Sequence, residues 1–304
     1  RGAQPMNVAA FSGGKDSTAL LLWLREHGIE FTAVFCDTGW EHPLTYAYIE
    51  EINWGLLGGQ LVRLNPADWP WPTNSVERYT DMRHLVSRKG RVPSIRARFC
   101  TEYLKVRPMI AWLHAQQDEL EVYQGIRAEE SPGRAALPER QWSDEYDAWL
   151  NRPLLAWTAA EVFAMLDRHG VAANPLYRLG SKRVGCFPCV LTRHAELKRL
   201  DQMLPEVWDR IAELERLSGR SYFPPGFIPD RFCSHHETKM VVVKKDENED
   251  RSPTLFEVSS GPHYVERTVY WPSIADVRRY LDSNAQLDTH GETPVCLSPY
   301  NLCE

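Results

Sequence analysis

The residues best suited to bind phosphate form the run Ser12-Gly13-Gly14-Lys15-Asp16-Ser17. An apolar segment at residues 8–11 precedes this run and an amphipathic pattern follows it, which predicts a strand, a tight turn and a helix N-terminus. The N–H groups and positive dipole end of such a helix attract anions, and glycines let the backbone approach the ligand closely. A plain turn with a serine cap would need neither the lysine nor the second serine, so we interpret the run as a phosphate-binding loop.

Two later loops carry polar groups suited to the same ligand. Asp37, Thr38 and Gly39 follow a second apolar run, at residues 31–36. Because open α/β sheets bind ligands at the carboxyl ends of their strands, Asp37 is well placed to meet a nucleotide. Arg127 and Arg134 follow another apolar segment, and planar guanidinium groups bind phosphate or sulfate bidentately. The alternative for these arginines is a solvated turn with surface ion pairs.

Taken together, these motifs resemble those of the PP-loop ATP pyrophosphatases, and within them the phosphoadenosine phosphosulfate reductase-like family. The resemblance covers roughly residues 8–190 and rests on five segments in order, which are SGGKDS, D-T-G-x-x-x-P (37–43), C-T-x-x-L-K-x-x-P (100–108), G-x-R-x-x-E-S-x-x-R (125–134) and the stretch from Asn174 to Cys189. The first segment is not a Walker A loop. The resemblance therefore implies cleavage between the α- and β-phosphates, or binding of a related adenosine nucleotide, and not γ-phosphate transfer.

The same resemblance implies roles for individual residues. Catalytic roles fall to Lys15, Asp16, Ser17 and Arg127. The ligand would be ATP with Mg²⁺, or phosphoadenosine phosphosulfate. Its binding residues would be Ser12, Gly13, Gly14, Lys15, Asp16, Ser17, Asp37, Thr38, Gly39, Lys105, Gly125, Arg127 and Arg134.

Seven cysteines give a second group of candidate ligands. Cys186 and Cys189 form a Cys-x-x-Cys pair, which can chelate one metal centre, although a redox dithiol or two unrelated core thiols fit the spacing as well. Cys100 joins them because it lies in one of the family segments. The fourth ligand would be Cys233, Cys296 or Cys303, and we favour Cys303. The resemblance favours a 4Fe-4S cluster, with zinc held by four of the later cysteines as the alternative.

Composition and charge bound the remaining choices. The chain of 304 residues is 43% hydrophobic and 25% charged, and it has no apolar run long enough to span a membrane. We therefore expect a cytoplasmic protein. The net charge of −6 gives no general affinity for nucleic acid. The stretch from Arg78 to Arg107 is different, because nine Lys and Arg against two acidic residues give 9 − 2 = +7. This stretch is either a solvated face or an anion-binding flap beside the nucleotide.

The predicted fold is α/β, a doubly wound and mainly parallel sheet, followed by a mixed helical and irregular extension. We place a nucleotide-binding domain at residues 1–195 and the extension, which would cover the site, at residues 196–304. Strands are expected near residues 8–11, 31–36, 60–64 and 121–125. Helices are expected near residues 18–24, 44–55, 101–113, 158–168, 197–217 and 271–281, the fourth of them opening with a Thr158/Glu161 capping box.

Three functions are compatible with these residues. The favoured one is cleavage of ATP to AMP and pyrophosphate, which activates an acceptor for sulfur insertion; the acceptor would be DNA or tRNA bound through the Arg78–Arg107 stretch, and a partner protein would donate sulfur. The first alternative is sulfonucleotide reduction, which the family performs with an E-C-G-[LI]-H tail that is not found here. The second alternative is a regulatory nucleotide-binding module with a structural metal, which would not require the whole set of loop residues.

Overall fold

The computed structural model describes residues 5–116, 118–243 and 263–283. These residues fall into two compact units, of which the first ends at Arg220 and the second begins at Ser221. The sequence analysis places its boundary earlier, at residue 195. The difference arises because the helix Val207–Ser218 packs on the helix Met82–Lys89 of the first unit, and Arg83 pairs with Glu213 between them at 2.7 Å.

The first unit is built on a six-stranded sheet. Its strands are β1 (Met6–Ala10), β2 (Thr32–Cys36), β3 (Val62–Leu64), β4 (Leu120–Gln124), β5 (Arg140–Ser143) and β6 (Ala148–Asn151). The order across the sheet is β3-β2-β1-β4-β6-β5, and only the edge strand β5 is antiparallel to its neighbour. The α/β, doubly wound and mainly parallel sheet predicted from the sequence is confirmed.

Some helices of the first unit connect the strands of this sheet, and the others follow its last strand. They are α1 (Lys15–Glu26), α2 (Pro43–Gly55), α3 (Met82–Lys89), α4 (Phe99–Thr101), α5 (Arg107–His114), α6 (Pro132–Ala135), α7 (Ala159–Arg168), α8 (His194–Met203) and α9 (Val207–Ser218). A π-helical turn, Glu102–Val106, joins α4 to α5, and short 3₁₀ turns lie at Ala128–Glu130 and Pro175–Tyr177. The capping box of Thr158 and Glu161 opens α7 as expected.

Two apolar clusters hold the helices on the sheet. On one face α1, α2 and α7 bury leucines and isoleucines such as Leu20, Leu24 and Ile49. On the other face α5 packs Met109 and Ile110 against the strands. Because both of its faces are covered, β2 is a continuous buried apolar run from Ala33 to Cys36 rather than an alternating pattern. The carboxyl ends of β1, β2 and β4 are thereby fixed at one edge of the sheet.

Most sequence predictions of elements are confirmed, but one predicted helix is divided and several elements, among them α3, were missed. The helix expected over residues 197–217 is two helices, because Pro205 lacks an N–H and interrupts the pattern after α8. The hairpin of β5 and β6 was not predicted. The second unit contains a nine-residue hairpin, β7 (His235–Val243) with β8 (His263–Trp271), which was also missed. The last helix, α10 (Ile274–Ser283), begins three residues after β8 ends.

Within residues 5–116, 118–243 and 263–283, every helix is too short or too polar to span a lipid bilayer.

Replacing Leu20 by Ala tests the packing of α1, the helix that begins at the predicted phosphate loop. Leu20 is fully buried, so we expect the free energy of unfolding to fall by about 2–5 kcal/mol. Met203→Ala is the control, because its side chain is half exposed and should change stability by less than about 0.5 kcal/mol. Urea unfolding measures both, and equal effects would contradict the assigned core.

Candidate functional site

The predicted phosphate loop joins β1 to α1 at the carboxyl end of the central strand. Gly14 is the residue before α1, and the preceding Gly13 has φ +77°, a conformation that favours glycine. The Ser12 and Ser17 hydroxyl oxygens are 3.0 Å apart. The Gly14 N–H donates to the Ser12 hydroxyl at 3.3 Å. These bonds hold the loop in a tight turn around the start of α1.

Asp16 is the centre of a buried charge network at this turn. Its carboxylate is fully buried and accepts a hydrogen bond from Lys15 Nζ at 2.6 Å. Its other oxygen pairs with the Nε of Arg127, from the loop after β4. Burial by itself would lower the pKa of Arg127, but Asp16 and Glu129 raise this pKa above its ordinary value. Three of the predicted catalytic residues, Lys15, Asp16 and Arg127, are therefore in direct contact.

The second arginine of the same loop is also buried. Arg134 has no exposed surface and pairs with Glu130. Glu130 also accepts the backbone N–H of Arg127 at 3.1 Å. The arginines are thus positioned by acidic neighbours within their own loop, rather than forming the solvated surface turn considered as the alternative.

The loop after β2 is organised around Glu41, a residue that the sequence analysis did not single out. Glu41 is buried and accepts hydrogen bonds from the Thr38 hydroxyl at 2.6 Å and the Tyr46 hydroxyl at 2.8 Å. The Asp37 carboxylate accepts from the Gly39 N–H at 2.9 Å and from Tyr46 at 2.7 Å. Asp37 therefore shapes the loop, and it is Glu41 that lines the adjoining pocket.

A distant segment braces the phosphate loop from behind. The Asn174 side chain is fully buried and donates to the Gly13 carbonyl at 3.1 Å. The backbone N–H of Lys15 donates to the Tyr177 hydroxyl at 3.0 Å. Asn174 and Tyr177 thus fix the geometry of the phosphate loop, because they bind its Gly13 carbonyl and its Lys15 N–H. The order Asn-Pro-Leu-Tyr before the Cys-x-x-Cys pair was the available sequence signal.

Two pockets open at this edge of the sheet and share Lys105 as a common wall. The smaller pocket is lined by ends of β1, β2 and β4, with the apolar side chains of Phe11, Val34 and Met109 and the polar Ser12, Ser17, Glu41 and Gln124. The larger is a cavity of about 290 Å³. An apolar pocket beside a polar cavity suits a ligand with one flat, weakly polar end and one charged end.

The larger cavity is electropositive. Seven cationic side chains and three acidic ones line it, which gives a formal excess of 7 − 3 = +4. The cations are Lys15, Lys105, Arg127, Arg134, Lys182, Arg183 and Arg193, and the acids are Glu129, Glu130 and Glu196. The sequence analysis predicted the first four of these cations as anion ligands, and it missed Lys182, Arg183 and Arg193. The charge excess favours an anionic ligand.

Two of the predicted cysteine ligands line the same cavity. Cys186 and Cys189 lie in its wall, and the Cys186 sulfur is 3.6 Å from the Thr38 hydroxyl. Burial raises the pKa of Cys186 to about 12. It also raises that of Cys100 to about 11, with a further contribution from Cys189. The three thiols are therefore close enough to affect one another electrostatically.

A complete metal site is not found among the described residues, in which no group of three or more His, Cys, Asp or Glu side chains is arranged to hold a metal ion. Cys296 and Cys303 lie outside the described residues. Cys233 belongs to the second unit. The ligand set of Cys100, Cys186, Cys189 and Cys303 stays a prediction, and so does the metal. Cys36 is buried in β2 and is not one of the predicted ligands.

Some cations of the basic stretch from Arg78 to Arg107 form ion pairs and others are exposed. Arg83 and Arg107 form ion pairs with Glu213 and Glu102. The exposed members are Arg78, Arg88, Arg91 and Arg96. Ile95, between the last two, lines the larger cavity and is 54% exposed. Part of the stretch therefore borders the cavity, as expected for a flap beside the ligand.

Comparison with known proteins gives a consistent picture. The family model for the phosphoadenosine phosphosulfate reductase domain matches residues 6–192. A 37.8 kDa protein of Escherichia phage 186 is 35% identical over 293 residues, covering 80% of this chain and 85% of that protein. Adenosine 5′-phosphosulfate reductase of Allochromatium vinosum is 34% identical over 182 residues, covering 60% of this chain and 67% of the reductase.

Other matches cover smaller shares of the relatives' own length or have lower sequence identity. The chain spans between 40% and 60% of the length of three further relatives. The crystal structure of phosphoadenylyl-sulfate reductase from Candida auris aligns with a TM-score of 0.47 at 19% identity, covering 62% of this chain and 84% of the yeast protein.

Replacing Gly125 by Ala tests the close approach of the two loops. A Cβ at this position would lie 2.7 Å from the Asp16 carbonyl oxygen and 2.9 Å from the Ser17 Cα, both of which are backbone atoms that cannot turn aside. We expect a loss of stability of about 1–3 kcal/mol from the overpacking. Thermal unfolding of the variant measures it.

The matched control is Gly55→Ala. Gly55 lies in the last turn of α2, and a Cβ there would meet nothing within 4 Å. This control should be neutral or slightly stabilising. An equally neutral Gly125→Ala would show that the loops are not in contact as described.

Proposed function

The chain belongs to the phosphoadenosine phosphosulfate reductase domain family, and on that basis we propose that it is an enzyme that reduces the sulfate of an adenosine 5′-phosphosulfate-type nucleotide. The sequence analysis favoured ATP cleavage with sulfur insertion and gave reduction as the alternative. The family match and the relatedness to an adenosine 5′-phosphosulfate reductase favour that alternative.

The observation that carries this proposal is the composition of the larger cavity. It combines the cations expected to bind an oxyanion with the thiols of Cys186 and Cys189. The smaller pocket, joined to it by Lys105, offers an apolar surface for the nucleoside. A nucleotide with its base in the smaller pocket would pass its 5′ end over Ser12, Lys15 and Ser17 and place its sulfate among the cations and thiols.

The proposed reaction transfers the sulfonate group to sulfur. A thiolate attacks the sulfate sulfur, the bond between that sulfur and the phosphate oxygen breaks, and the adenosine phosphate leaves. Lys15 and Arg127 would stabilise the charge on the leaving phosphate. A dithiol co-reactant then releases sulfite and is oxidised to a disulfide, which supplies the two electrons. The attacking thiolate that the sequence offers is Cys303, outside the described residues.

A second candidate function is the one first favoured, cleavage of ATP and sulfur insertion into DNA or tRNA. The exposed arginines at 88, 91 and 96, beside a residue of the cavity wall, support it. Such side chains neutralise backbone phosphates and make nucleic-acid binding salt-dependent. Release of pyrophosphate from ATP by the protein would favour this function over reduction.

Substitution of Lys105 tests the oxyanion site of the proposed reduction, and the products formed by the wild-type protein identify the reaction. We expect the wild-type protein to form sulfite and adenosine phosphate from adenosine 5′-phosphosulfate or its 3′-phosphorylated form, supplied with a dithiol. Lys105→Met should lower kcat/KM about 100-fold, because Lys105 lines both pockets and contributes charge to the oxyanion site. Lys89→Met, a neighbouring lysine outside both pockets, should have kcat/KM unchanged.

Three outcomes would count against the proposal. Pyrophosphate from ATP without sulfite would support sulfur insertion. Nucleotide binding without either product would support the regulatory module. A fall in activity of equal size in Lys89→Met would show that Lys105 acts through general stability.

The cysteines give a separate prediction, a 4Fe-4S cluster on Cys100, Cys186, Cys189 and a fourth thiolate, with zinc as the rival. If Cys303 is the attacking thiolate, Cys296 would be that fourth ligand. Protein purified without oxygen should contain about four iron and four sulfide per chain. Cys189→Ser should lose both, and Cys36→Ala should retain them. Zinc alone, or no metal, would contradict the cluster.

A further inference from the structure

Gln124, at the end of β4, has an amide whose donor group is unused. Its side chain is only 2% exposed and lies in the wall of the smaller pocket. The amide oxygen accepts a hydrogen bond from Arg152 Nε at 3.1 Å. Its Nε2 atom is buried and has no hydrogen-bond partner among the described residues. A buried donor without a partner costs free energy, so it calls for an explanation.

The hydrogen bond with Arg152 fixes the orientation of this amide. A guanidinium group has donors only, so the side chain that meets Arg152 must present an oxygen. The Gln124 amide therefore cannot be flipped without placing N–H groups against N–H groups. Its NH₂ group is directed away from Arg152 in the only arrangement that satisfies the arginine.

Supporting Arg152 does not by itself explain a glutamine at this position. Arg152 is 2% exposed, and no carboxylate among the described residues forms an ion pair with it. Its other partners are the Pro138 carbonyl at 2.8 Å and the Gln141 amide oxygen at 3.3 Å. A glutamate of the same shape would satisfy a buried arginine better, because it would also neutralise the charge. What a glutamine has and a glutamate lacks is the NH₂ donor.

We infer that Gln124 recognises the base of the bound nucleotide, its Nε2 donating a hydrogen bond to a ring nitrogen of adenine. This inference rests on the proposed nucleotide site. The ring nitrogens N1, N3 and N7 of adenine are hydrogen-bond acceptors, so the NH₂ group of Gln124 can donate to one of them. The apolar side chains of Phe11, Val34 and Ile126 line the same pocket and suit the faces of a purine. Gln124 would then be a specificity-determining residue, positioned by Arg152.

The test is Gln124→Glu, with AMP as the probe and calorimetry to measure the dissociation constant. Glutamate keeps the shape and the contact with Arg152 but replaces the donor by an acceptor. We expect the dissociation constant for AMP to rise at least tenfold, while the unfolding temperature is unchanged or higher. Gln141→Glu is the matched control, because it makes the same change beside the same arginine on an exposed residue outside the pocket. Its affinity for AMP should match that of wild type.

Deaza analogues identify the acceptor. AMP analogues in which N1, N3 or N7 is replaced by C–H should include one that wild type binds about tenfold more weakly than AMP, and Gln124→Glu should not distinguish that analogue from AMP. The inference would be overturned if wild type and Gln124→Glu bound AMP with the same dissociation constant. It would also be overturned if wild type bound all three analogues as tightly as AMP. Failure of wild type to bind AMP at all would instead overturn the proposed nucleotide site.

Discussion

The buried carboxylate of Asp16 is the interaction on which the rest of the site depends. It lies at the start of α1, where it pairs with Lys15, and it also pairs with Arg127 of the loop after β4. Breaking a buried ion pair by removing one partner leaves an uncompensated charge, which costs about 3–5 kcal/mol. The phosphate loop and the arginine loop are therefore held as one unit, and the closeness of Gly125 to the backbone of Asp16 has the same effect.

This coupling explains how one edge of the sheet presents two different environments. The smaller pocket is apolar because it lies between strand ends that are buried on both faces of the sheet. The larger cavity is cationic because the arginine loop and the segment before Cys186 both face it. Each arginine of the loop is held in place by an acid, Arg127 by Asp16 and Arg134 by Glu130. A preorganised charged site of this kind loses little energy in reorganisation when an anion binds.

How much of this could be predicted from the sequence depends on the range of the interactions. The β1 and α1 elements, the loop between them and the parallel sheet follow from local patterns, namely apolar runs that end in glycine and polar residues. The hairpin β7–β8 did not follow, because residues 235–240 of β7 are exposed on both sides and lack a two-residue period. The short edge strand β5 was missed because three of its four residues are polar and it lacks an apolar run.

Residue roles show the same limit. Lys15, Lys105, Arg127 and Arg134 were identified because each lies in a motif, and all four line the cavity. Glu41 was missed because it occupies an unspecified position of the motif at residues 37–43. Gln124 and Tyr177 were missed because their importance comes from partners far along the chain, Arg152 for Gln124 and Lys15 for Tyr177. No local spacing encodes such pairs. Asp37 was identified by its motif, but its carboxylate bonds to its own loop.

A crystal structure with adenosine 5′-phosphosulfate or a stable analogue tests the central claim most directly, namely that this sheet edge is an adenosine nucleotide site with an oxyanion end. We predict the base in the smaller pocket, the phosphate within hydrogen-bond distance of the loop from Ser12 to Ser17, and the sulfate in the larger cavity facing Cys186. A nucleotide bound elsewhere, or one with its base among the cations of the larger cavity, would contradict the account.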